Sequence, residues 1–304
     1  MSSHFLVLTS AAPLGDDLLA AASDLAGAPA RRLGAGAADL PCGPDALAAA
    51  RTRFTGVDAN LVAAANREKR LLIADMDSTI IPVECIDEIA DLAGVGPQVS
   101  DITERAMQGE LDFEGALRAR VALLRDLPVA ALDRVWAERI TLNPGAETLV
   151  RTMAARGAMT ALVSGGFTFF ADRVAEAAGF AFARANTLIV ADGKLTGEVT
   201  DPILGREAKL EALAALTAER GLTPADAIAV GDGANDLAMV EAAGLGVAYR
   251  AKPALADKAN ARLDHSDLTA LLVGTVSGVY LTWTDARLGE WTRFGTCDDL
   301  PLVL

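Results

Sequence analysis

Histidine and cysteine are scarce in this chain of 304 residues, and their scarcity excludes several kinds of site. The two histidines, His4 and His265, are too few for a histidine-rich zinc site, and a Ser-His-Asp triad would depend on His265 alone. The three cysteines, Cys42, Cys85 and Cys297, are far apart and form no C-x-x-C pair. They give no disulfide framework, which favours the reducing cytoplasm as the location.

Positive charge and aromatic side chains are also in short supply. Lysine and arginine number 27 against 41 aspartates and glutamates, which gives a formal net charge of -14. A field of this sign repels nucleic acid and anionic lipid, and aromatics at 5% leave few rings to stack single-stranded bases. We therefore expect no nucleic-acid partner. A small phosphorylated substrate is not excluded, because a few local cations or a metal ion outweigh the overall field at short range.

One uncharged segment requires a membrane check. Leu268 to Thr284 is about 17 residues long, which is the lower limit for a spanning helix. Serine, threonine and glycine interrupt it, which fits a buried helix followed by another element better than a membrane span. The amino terminus has no lysine or arginine before its short apolar stretch, which argues against a secretory signal. We therefore expect a protein that is not bound to a membrane.

Three continuous apolar runs predict strands that are buried on both faces of a sheet. They are Leu71–Ala74, Met159–Val163 and Ala227–Val230. Helical stretches separate the runs, which predicts a parallel sheet with right-handed crossovers. Each run is followed by polar residues, and ligands bind to such sheets at the carboxyl ends of the strands. We therefore expect the functional site at this edge.

Two other regions complete the predicted architecture. Residues 84–142 are strongly helical and too long for an ordinary connection between a strand and a helix, so they predict an inserted cap. Residues 1–66 predict a small α/β unit, in which Asp45 to Ala65 is expected to be helical with a break near Gly56. The predicted fold class is α/β, with a Rossmann-like parallel sheet flanked by helices. The predicted domains are residues 1–66, a core at 67–280 carrying the cap at about 84–142, and a carboxyl-terminal extension at 281–304.

Two carboxylates follow the first predicted strand, in the sequence D-M-D-S-T at residues 75–79. One interpretation is an aspartate that caps a helix. A calcium loop of the EF-hand type is disfavoured, because position 80 is isoleucine where that loop needs glycine, and a strand precedes the motif. The interpretation we favour is a functional site with a cation nearby.

Three further motifs lie later in the chain. Ser164-Gly165-Gly166 follows the second run, Lys209 lies in a helical stretch, and G-D-G-A-N-D at residues 231–236 follows the third run. Taken alone, the first predicts a turn and the second a solvated lysine. The third is not a dinucleotide fingerprint, because its Asn-Asp pair would put an acid where the pyrophosphate lies. Hard oxygen ligands without histidine or cysteine suit Mg²⁺.

The four motifs, in this order across residues 75–236, resemble those of the haloacid dehalogenase superfamily of phosphotransferases. The resemblance implies that Asp75 attacks phosphorus and that Asp77 serves as acid and base. It also implies a Mg²⁺ ion held by Asp75, Asp232 and the Asp77 carbonyl. An aspartyl-phosphate is an acyl phosphate, which water can resolve. The residues expected to hold the phosphoryl group are Ser164, Gly165, Lys209 and Asn235, with Asp236 expected to support Lys209 or the metal.

The predicted cap resembles that of the phosphoserine phosphatases, through E-R-A-M-Q-G-E-L-D-F at residues 104–113 and L-R-A-R-V at 117–121. The resemblance implies that Glu84 faces the substrate ammonium and that Arg120 holds the substrate carboxylate. It also implies that Met107 and Phe113 close over the substrate. Taken alone, these residues predict a solvated arginine and ordinary core packing. The proposed pairing is chemically sound, because a guanidinium fork suits a carboxylate and a glutamate suits an ammonium.

This second resemblance covers roughly residues 65–280 and implies hydrolysis of O-phospho-L-serine, the last step of L-serine biosynthesis. It also implies that the amino-terminal unit is an ACT-like regulatory domain. Two alternatives stay open: a phosphatase of the same fold acting on another small phosphoester, and a non-enzymatic amino-acid sensor that relies on the amino-terminal unit. The predicted partner is the small-molecule substrate, and a homodimer is left open.

Overall fold

The computed structural model describes residues 3–108 and 110–275, which fold into two α/β units packed against each other. The first, the N-terminal unit, has the element order β-α-β-β-α-β. Its elements are β1 (His4–Thr9), α1 (Asp16–Ala26), β2 (Arg31–Gly34), β3 (Ala37–Cys42), α2 (Ala46–Arg53) and β4 (Asp58–Ala63). The strands form one antiparallel sheet in the order β2-β3-β1-β4, and both helices pack against it.

The prediction that the helix resumes after Gly56 is wrong, because Asp58–Ala63 forms the strand β4. Gly56 has a φ of 74° and reverses the chain after α2, which brings β4 alongside β1. Ala59 and Val62 are then buried in the sheet. Strand pairing and burial therefore override the helical preference of the alanines in this stretch.

The second unit, the core, is built on a parallel sheet whose strands alternate with helices. Its strands are β5 (Leu71–Ala74), β6 (Met159–Phe167), β7 (Phe182–Asn186), β10 (Ala227–Gly231), β11 (Leu245–Tyr249) and β12 (Ala261–Leu263). Its helices are α7 (Ala146–Ala155), α8 (Thr168–Ala178), α9 (Arg206–Glu219), α10 (Leu237–Ala242), α11 (Pro253–Ala256) and α12 (Ala270–Thr275). The strand order β12-β11-β10-β5-β6-β7 puts the three predicted strands side by side in the middle of the sheet.

Burial on both faces explains why β5 is apolar throughout. Leu72 packs with the residues of α7 and α8 on one face, whereas Leu71 and Ile73 pack with those of α9 and α10 on the other. All four residues of β5 are fully buried. The apolar run is therefore the pattern of a central parallel strand, as the sequence predicts.

The inserted cap consists of four helices between β5 and α7. They are α3 (Cys85–Ala93), α4 (Gly96–Met107), α5 (Phe113–Ala122) and α6 (Ala130–Arg139). A hairpin of the core, β8 (Leu188–Ala191) and β9 (Lys194–Val199), joins the cap through backbone hydrogen bonds between Leu195 and both Asp126 and Leu127. Leu117 and Val121 of α5 are buried in the same apolar cluster as the core helices, so the cap shares the core of this unit.

The N-terminal unit covers the edge strand β12 of the core sheet. The Asn60 amide exchanges two hydrogen bonds of 2.8 Å with the backbone N–H and carbonyl of Arg262. The buried Asp58 carboxylate accepts the backbone N–H groups of residues 264–266, at 2.8 to 3.1 Å. These contacts satisfy backbone groups that an open sheet edge would expose.

Within residues 3–108 and 110–275, no helix combines the length and hydropathy that a membrane span requires. The uncharged segment from Leu268 enters α12, where Leu272 and Val273 are buried. The rest of that segment lies outside the described residues, as does the extension predicted at 281–304.

Candidate active site

The carboxyl ends of β5, β6 and β10 meet as predicted and bring the motifs together. Asp75 directly follows β5, and its N–H donates to the Val230 carbonyl of β10 at 3.0 Å. Asp232 directly follows β10. Ser164 lies inside β6 rather than in the turn that its tripeptide predicts, because β6 continues to Phe167 with an irregular pairing to β7.

A buried lysine joins two of the aspartates. The Lys209 ammonium of α9 lies 2.7 Å from Asp75 Oδ1 and 2.6 Å from Asp236 Oδ1. Burial alone would lower the pKa of Lys209, but the two carboxylates outweigh it and raise the pKa above its ordinary value. Lys209 therefore stays charged, and the solvated-lysine interpretation of the sequence is wrong for this residue.

Both carboxylate oxygens of Asp236 accept hydrogen bonds that hold Lys209 and the loop after β10 in place. Its Oδ2 accepts the backbone N–H groups of Asp232 and Gly233, both at 3.1 Å, while its Oδ1 contacts Lys209. A Cβ at Gly231 would overlap the Asp236 carboxylate, so glycine is required there. This geometry suits the supporting role that the sequence analysis expects of Asp236.

Negative charge exceeds positive charge at the site. Oxygen atoms of Asp75, Asp232 and Asp236 all lie within 4.8 Å of one another. Against them stand the buried Lys209 and an exposed lysine, Lys252, whose ammonium is 3.9 Å from Asp232 Oδ2. Burial and the charge of Asp236 raise the pKa of Asp75 well above its ordinary range and that of Asp232 to about 6.

This excess of buried carboxylate fits a divalent cation. Among the described residues, Asp236 accepts three hydrogen bonds of 2.6 to 3.1 Å through its two oxygens, whereas Asp75 Oδ2 accepts only a 3.3 Å bond from Asn235 and the nearest cation to Asp232 is 3.9 Å away. Asp75 and Asp232 are therefore the better placed to offer ligand atoms. Hard oxygen donors suit Mg²⁺. A bound cation would also offset the repulsion that raises the pKa of both carboxyls. The donor set therefore matches the predicted metal.

Asp77 points to a different part of the site. Its Oδ1 accepts the Cys85 N–H at 2.9 Å, and its Oδ2 accepts the Ser164 hydroxyl at 3.2 Å. Burial, with the charge of Glu84, raises the pKa of Asp77 to about 6. A carboxyl with this pKa exchanges a proton readily near neutral pH. Its carboxylate is not part of the acidic group, so the metal contact expected of Asp77 concerns its backbone carbonyl and stays a prediction.

Asn235 and Gly165 lie beside the two catalytic candidates. The Asn235 amide donates to Asp75 Oδ2 at 3.3 Å. A Cβ at Gly166, the residue after Gly165, would lie 2.6 Å from Asp77 Oδ2, and the Gly166 N–H donates to the Ser164 hydroxyl at 2.8 Å. The backbone at residues 165 and 166 therefore approaches the site closely, as phosphoryl binding requires.

Glu84 and Arg120 lie on the cap side of the same site. Ser78, which has a φ of 55°, donates to Glu84 Oε1 at 2.8 Å. Arg120 reaches in from α5, and its Nε donates to a carbonyl of its own helix at 3.3 Å. Burial lowers the pKa of its guanidinium, although the carboxylates of Asp87 and Glu84 oppose the shift. Among the described residues, no carboxylate forms an ion pair with Arg120.

Phe113 closes the gap between cap and core. A Cβ at Gly165 would lie 2.9 Å from Phe113 Cζ, and one at Gly205 would lie 3.2 Å from Phe113 Cδ1. The ring therefore rests on two glycines of the core, as a residue that covers a substrate would. Met107 ends α4, and its side chain lies outside the described part of the chain.

Two buried asparagines that the sequence analysis missed hold the loops of the site. The Asn186 amide donates to the Gly165 carbonyl at 2.8 Å and accepts the Leu204 N–H at 2.7 Å. The Asn143 amide donates to the Thr79 carbonyl at 2.8 Å. Neither lies in a recognised motif. Only their positions in the chain could have indicated them. Asn186 is the last residue of β7, and Asn143 lies where the chain returns from the cap to the core.

Comparisons with known proteins agree with this geometry. The sequence profile described as haloacid dehalogenase-like hydrolase matches residues 72–241. A curated relative, the phosphoserine phosphatase of Archaeoglobus fulgidus, is 46% identical over 206 residues, which cover 68% of this chain and 60% of the relative. The phosphoserine phosphatase of Vibrio cholerae is 50% identical over 189 residues, which cover 62% of this chain and 57% of the relative. The chain thus spans somewhat over half the length of these curated relatives.

A solved structure extends the likeness to both units. It is described as a haloacid dehalogenase family hydrolase from Salmonella enterica serovar Typhi, and it aligns with a TM-score of 0.82 at 30% identity. The alignment covers 91% of this chain and 99% of that one, so it includes most of the N-terminal unit.

Proposed function

The chain belongs to the haloacid dehalogenase-like hydrolase family, and from that premise we propose that it hydrolyses O-phospho-L-serine to L-serine and phosphate. The observation that carries the choice of substrate is that Arg120 and Glu84 both lie at the cap side of the phosphoryl site, close enough for their charges to interact. A half-buried guanidinium with no ion-pair partner among the described residues suits a carboxylate, and the glutamate suits an ammonium. The curated relatives named above, both phosphoserine phosphatases, support the same choice.

In the first half of the reaction, an oxygen of Asp75 attacks phosphorus and the bond between phosphorus and the serine oxygen breaks. Asp77 gives its proton to that departing oxygen. The Met76 N–H and the Lys209 ammonium both contact Asp75 Oδ1, at 2.8 and 2.7 Å, and they fix the orientation of the carboxylate. The pKa of Asp77, raised to about 6, lets a fraction of the molecules carry the required proton near neutral pH.

In the second half, water attacks the phosphorus of the aspartyl-phosphate and the bond to Asp75 breaks. Asp77 takes the proton from this water and returns to its starting state. Lys209, the Ser164 hydroxyl and the backbone at residues 165 and 166 hold the phosphoryl oxygens during both halves. Phe113, resting on Gly165, keeps bulk water out while the cap is closed.

The metal in this proposal is Mg²⁺. Asp75 and Asp232 would hold it with their carboxylates, and Asp77 with its backbone carbonyl. When bound, it would neutralise part of the phosphate charge, which would let an anionic nucleophile approach. Lys209 supplies one positive charge for the same purpose from the protein itself.

We place the reaction in the reducing cytoplasm, as the last step of L-serine biosynthesis, and the buried free thiols of Cys42 and Cys85 support that location. We assign residues 1–66 as an ACT-like regulatory unit, residues 67–280 as the catalytic unit and residues 281–304 as an extension of its own. A homodimer stays a prediction.

A phosphate-release assay with Mg²⁺ tests the proposal. We expect kcat/KM to be highest for O-phospho-L-serine in a panel that includes phosphoethanolamine, which lacks the carboxylate, phospholactate, which lacks the ammonium, and p-nitrophenyl phosphate, which lacks both. Equal kcat/KM values for all four compounds would leave a phosphatase of another specificity. No release from any of them would favour the alternative of a non-enzymatic sensor.

A further inference from the structure

The strand β6 departs from its regular pairing with β7 at the point where the phosphoryl site lies. Val163 is in regular register, and the pairing resumes at Phe167, which lies opposite Asn186. Between these positions, three residues of β6, 164–166, stand against one residue of β7, Ala185. Backbone groups that leave a ladder in this way need other partners. The position of the segment that approaches the substrate therefore depends on contacts other than strand pairing.

The side chain of Asn186 supplies such a contact and ties the segment to a second one. Asn186 is 2% exposed, and its amide nitrogen donates to the Gly165 carbonyl at 2.8 Å and to the Leu204 carbonyl at 3.2 Å. Its Oδ1 accepts the Leu204 N–H at 2.7 Å. Both N–H groups and the oxygen of this side chain are thus engaged. Leu204 lies in the loop between β9 and α9, so one buried amide joins residues 164–166 to that loop.

The two segments joined by Asn186 are the ones on which the cap rests. The Phe113 ring lies against Gly165 on one segment and against Gly205, the residue after Leu204, on the other. A Cβ would lie 2.9 Å from the ring at Gly165 and 3.2 Å from it at Gly205. Phe113 is nevertheless 38% exposed, so its contact with the core is confined to a small area. The fit of the ring therefore depends on the spacing of these two segments.

We propose that Asn186 is a positioning residue for the phosphoryl site. Its amide fixes the spacing between residues 165–166 and residues 204–205, which presents the backbone of the first segment to the phosphoryl group and provides the surface on which Phe113 closes. This role rests on the proposed function in one respect, namely that residues 165 and 166 bind the phosphoryl group. Because every phosphoester has that group, loss of Asn186 should affect all substrates alike, whereas loss of Arg120 should not.

Asn186→Ala tests the proposal through two measurements in the presence of Mg²⁺. kcat/KM should fall roughly 10- to 100-fold for both phosphoserine and p-nitrophenyl phosphate, because a misplaced binding group slows every reaction at the site. Inorganic phosphate, titrated by calorimetry, should bind roughly 3- to 10-fold more weakly, since hydrogen bonds that hold its site are lost. Wild-type turnover and phosphate affinity in this variant would overturn the proposal, and so would a loss confined to phosphoserine.

Asn60→Ala is the matched control, because Asn60 holds backbone groups in a similar way outside the active site. It is 6% exposed, and its amide exchanges two hydrogen bonds of 2.8 Å with the backbone of Arg262. Both variants should lower the melting temperature, whereas only Asn186→Ala should change turnover and phosphate binding. Equal losses of kcat/KM in the two folded variants would reduce the effect to stability and overturn the positioning role.

Gly205→Ala covers the case in which Asn186→Ala does not fold. Gly205 precedes α9 with a φ of -105°, which alanine adopts without strain, and the added methyl group would press on the Phe113 ring. Displacement of the ring should lower kcat/KM for both substrates roughly 3- to 10-fold. Gly15→Ala is the control, because Gly15 precedes α1 in the same capping position and a Cβ there meets no atom of the described residues within 4 Å. Wild-type turnover in Gly205→Ala would overturn the dependence on this spacing.

The positioning role and the proposed function fail separately. If the chain releases no phosphate from phosphoserine but Asn186→Ala weakens the binding of inorganic phosphate, the function fails and the positioning role stands. If the chain hydrolyses phosphoserine and Asn186→Ala leaves turnover and phosphate binding unchanged, the positioning role fails and the function stands.

Discussion

Two buried acidic sites, one in each unit of this protein, differ in how their charge is balanced. In the N-terminal unit, Asp39 is fully buried and accepts hydrogen bonds from Arg31 Nε and Nη2, at 2.9 and 2.8 Å, and from Arg67 Nη1 at 2.8 Å. Burial would raise the pKa of Asp39, but the two guanidinium groups outweigh it and lower the pKa below its ordinary value. Here two guanidinium groups contact one carboxylate.

The acidic site of the core has the opposite balance. Three carboxylates, those of Asp75, Asp232 and Asp236, share the one buried ammonium of Lys209. Their mutual repulsion, added to burial, raises the pKa of two of them. Such an arrangement destabilises the fold unless a cation or substrate completes it.

The difference separates a structural charge from a functional one. Folding stability alone favours the arrangement around Asp39, in which every buried charge has a partner. In the proposed mechanism, the core retains its excess of negative charge because the chemistry needs a nucleophile and metal ligands at that place. Five expected outcomes test this comparison, from the largest effect to the smallest.

Removal of the proposed nucleophile should have the largest effect. Asp75→Asn should lower kcat for phosphoserine by roughly 10⁴-fold or more, because an amide of nearly the same shape does not attack phosphorus. Its circular dichroism and its melting temperature should stay at or above those of the wild type, because the substitution relieves repulsion in the core. Normal turnover by folded Asp75→Asn protein would contradict the mechanism.

Metal removal should silence the wild-type enzyme and leave it folded. Chelation with EDTA should reduce turnover to background, and added Mg²⁺ should restore it. Ca²⁺ should support little activity, because it prefers more oxygen ligands at longer distances and would disturb the in-line geometry. Turnover should be followed by phosphate release before and after dialysis. Full activity in chelated protein would exclude the metal-binding roles assigned to Asp75 and Asp232.

In the proposed function, the selectivity of the site depends on Arg120. Arg120→Ala should lower kcat/KM for phosphoserine by roughly 30- to 1,000-fold, since it removes a bidentate contact to a carboxylate worth about 2–4 kcal/mol. Turnover of p-nitrophenyl phosphate, which has no such carboxylate, should change little. The matched control is Arg134→Ala, an exposed arginine on α6 that pairs with Glu138 and should affect neither substrate. Equal losses of kcat/KM for both substrates would indicate that Arg120 has a structural role instead.

How much of this site follows from sequence depends on the kind of residue. The apolar runs predict β5, β6 and β10, because central parallel strands are apolar on both faces, and the polar residues that follow them mark the site. Strands such as β7 and β12 were not identified. They are the two short edge strands of the sheet, and polar residues such as Arg184 and Arg262 interrupt them, so they contain no continuous apolar run.

The sequence pattern does not predict the role of residues that act through contacts with distant parts of the chain. The helix predicted to reach Ala65 became the strand β4, because pairing with β1 is a tertiary effect. The burial of Lys209 depends on aspartates that lie more than 20 residues away along the chain in both directions. Asn143 and Asn186 hold backbone carbonyls of other elements, and no periodicity reports such a contact.

Stability should depend on Asp39 in the N-terminal unit. Asp39→Asn should lower the free energy of unfolding by about 1–3 kcal/mol at pH 7, because it weakens the charge-assisted hydrogen bonds that the carboxylate accepts from Arg31 and Arg67, of which Arg31 is largely exposed. The folded pKa of Asp39 is lowered, so this contribution is present above the unfolded pKa near 3.8 and is lost as the pH falls through the folded value. Urea titrations at pH 7 and at pH 3 to 4 should therefore show the difference between wild type and variant shrink in acid. Asp16→Asn, whose side chain is 96% exposed in its pair with Arg32, is the control and should cost little.

The smallest effect has the opposite sign and is the sharpest test of the comparison. In metal-free protein, Asp232→Asn should raise the free energy of unfolding by about 1–2 kcal/mol, less than the roughly 3 kcal/mol that a full pKa shift from 3.8 to about 6 is worth. Because the folded pKa is raised, ionised Asp232 destabilises the wild type above pH 6, and protonation relieves this cost as the pH falls from about 6 to 3.8. The gain should therefore be full at pH 7.5 and absent near pH 3.8, and saturating Mg²⁺ should reverse its sign. A loss of stability in metal-free Asp232→Asn at pH 7.5 would mean that Asp232 is balanced as Asp39 is, and the distinction between the two sites would fall.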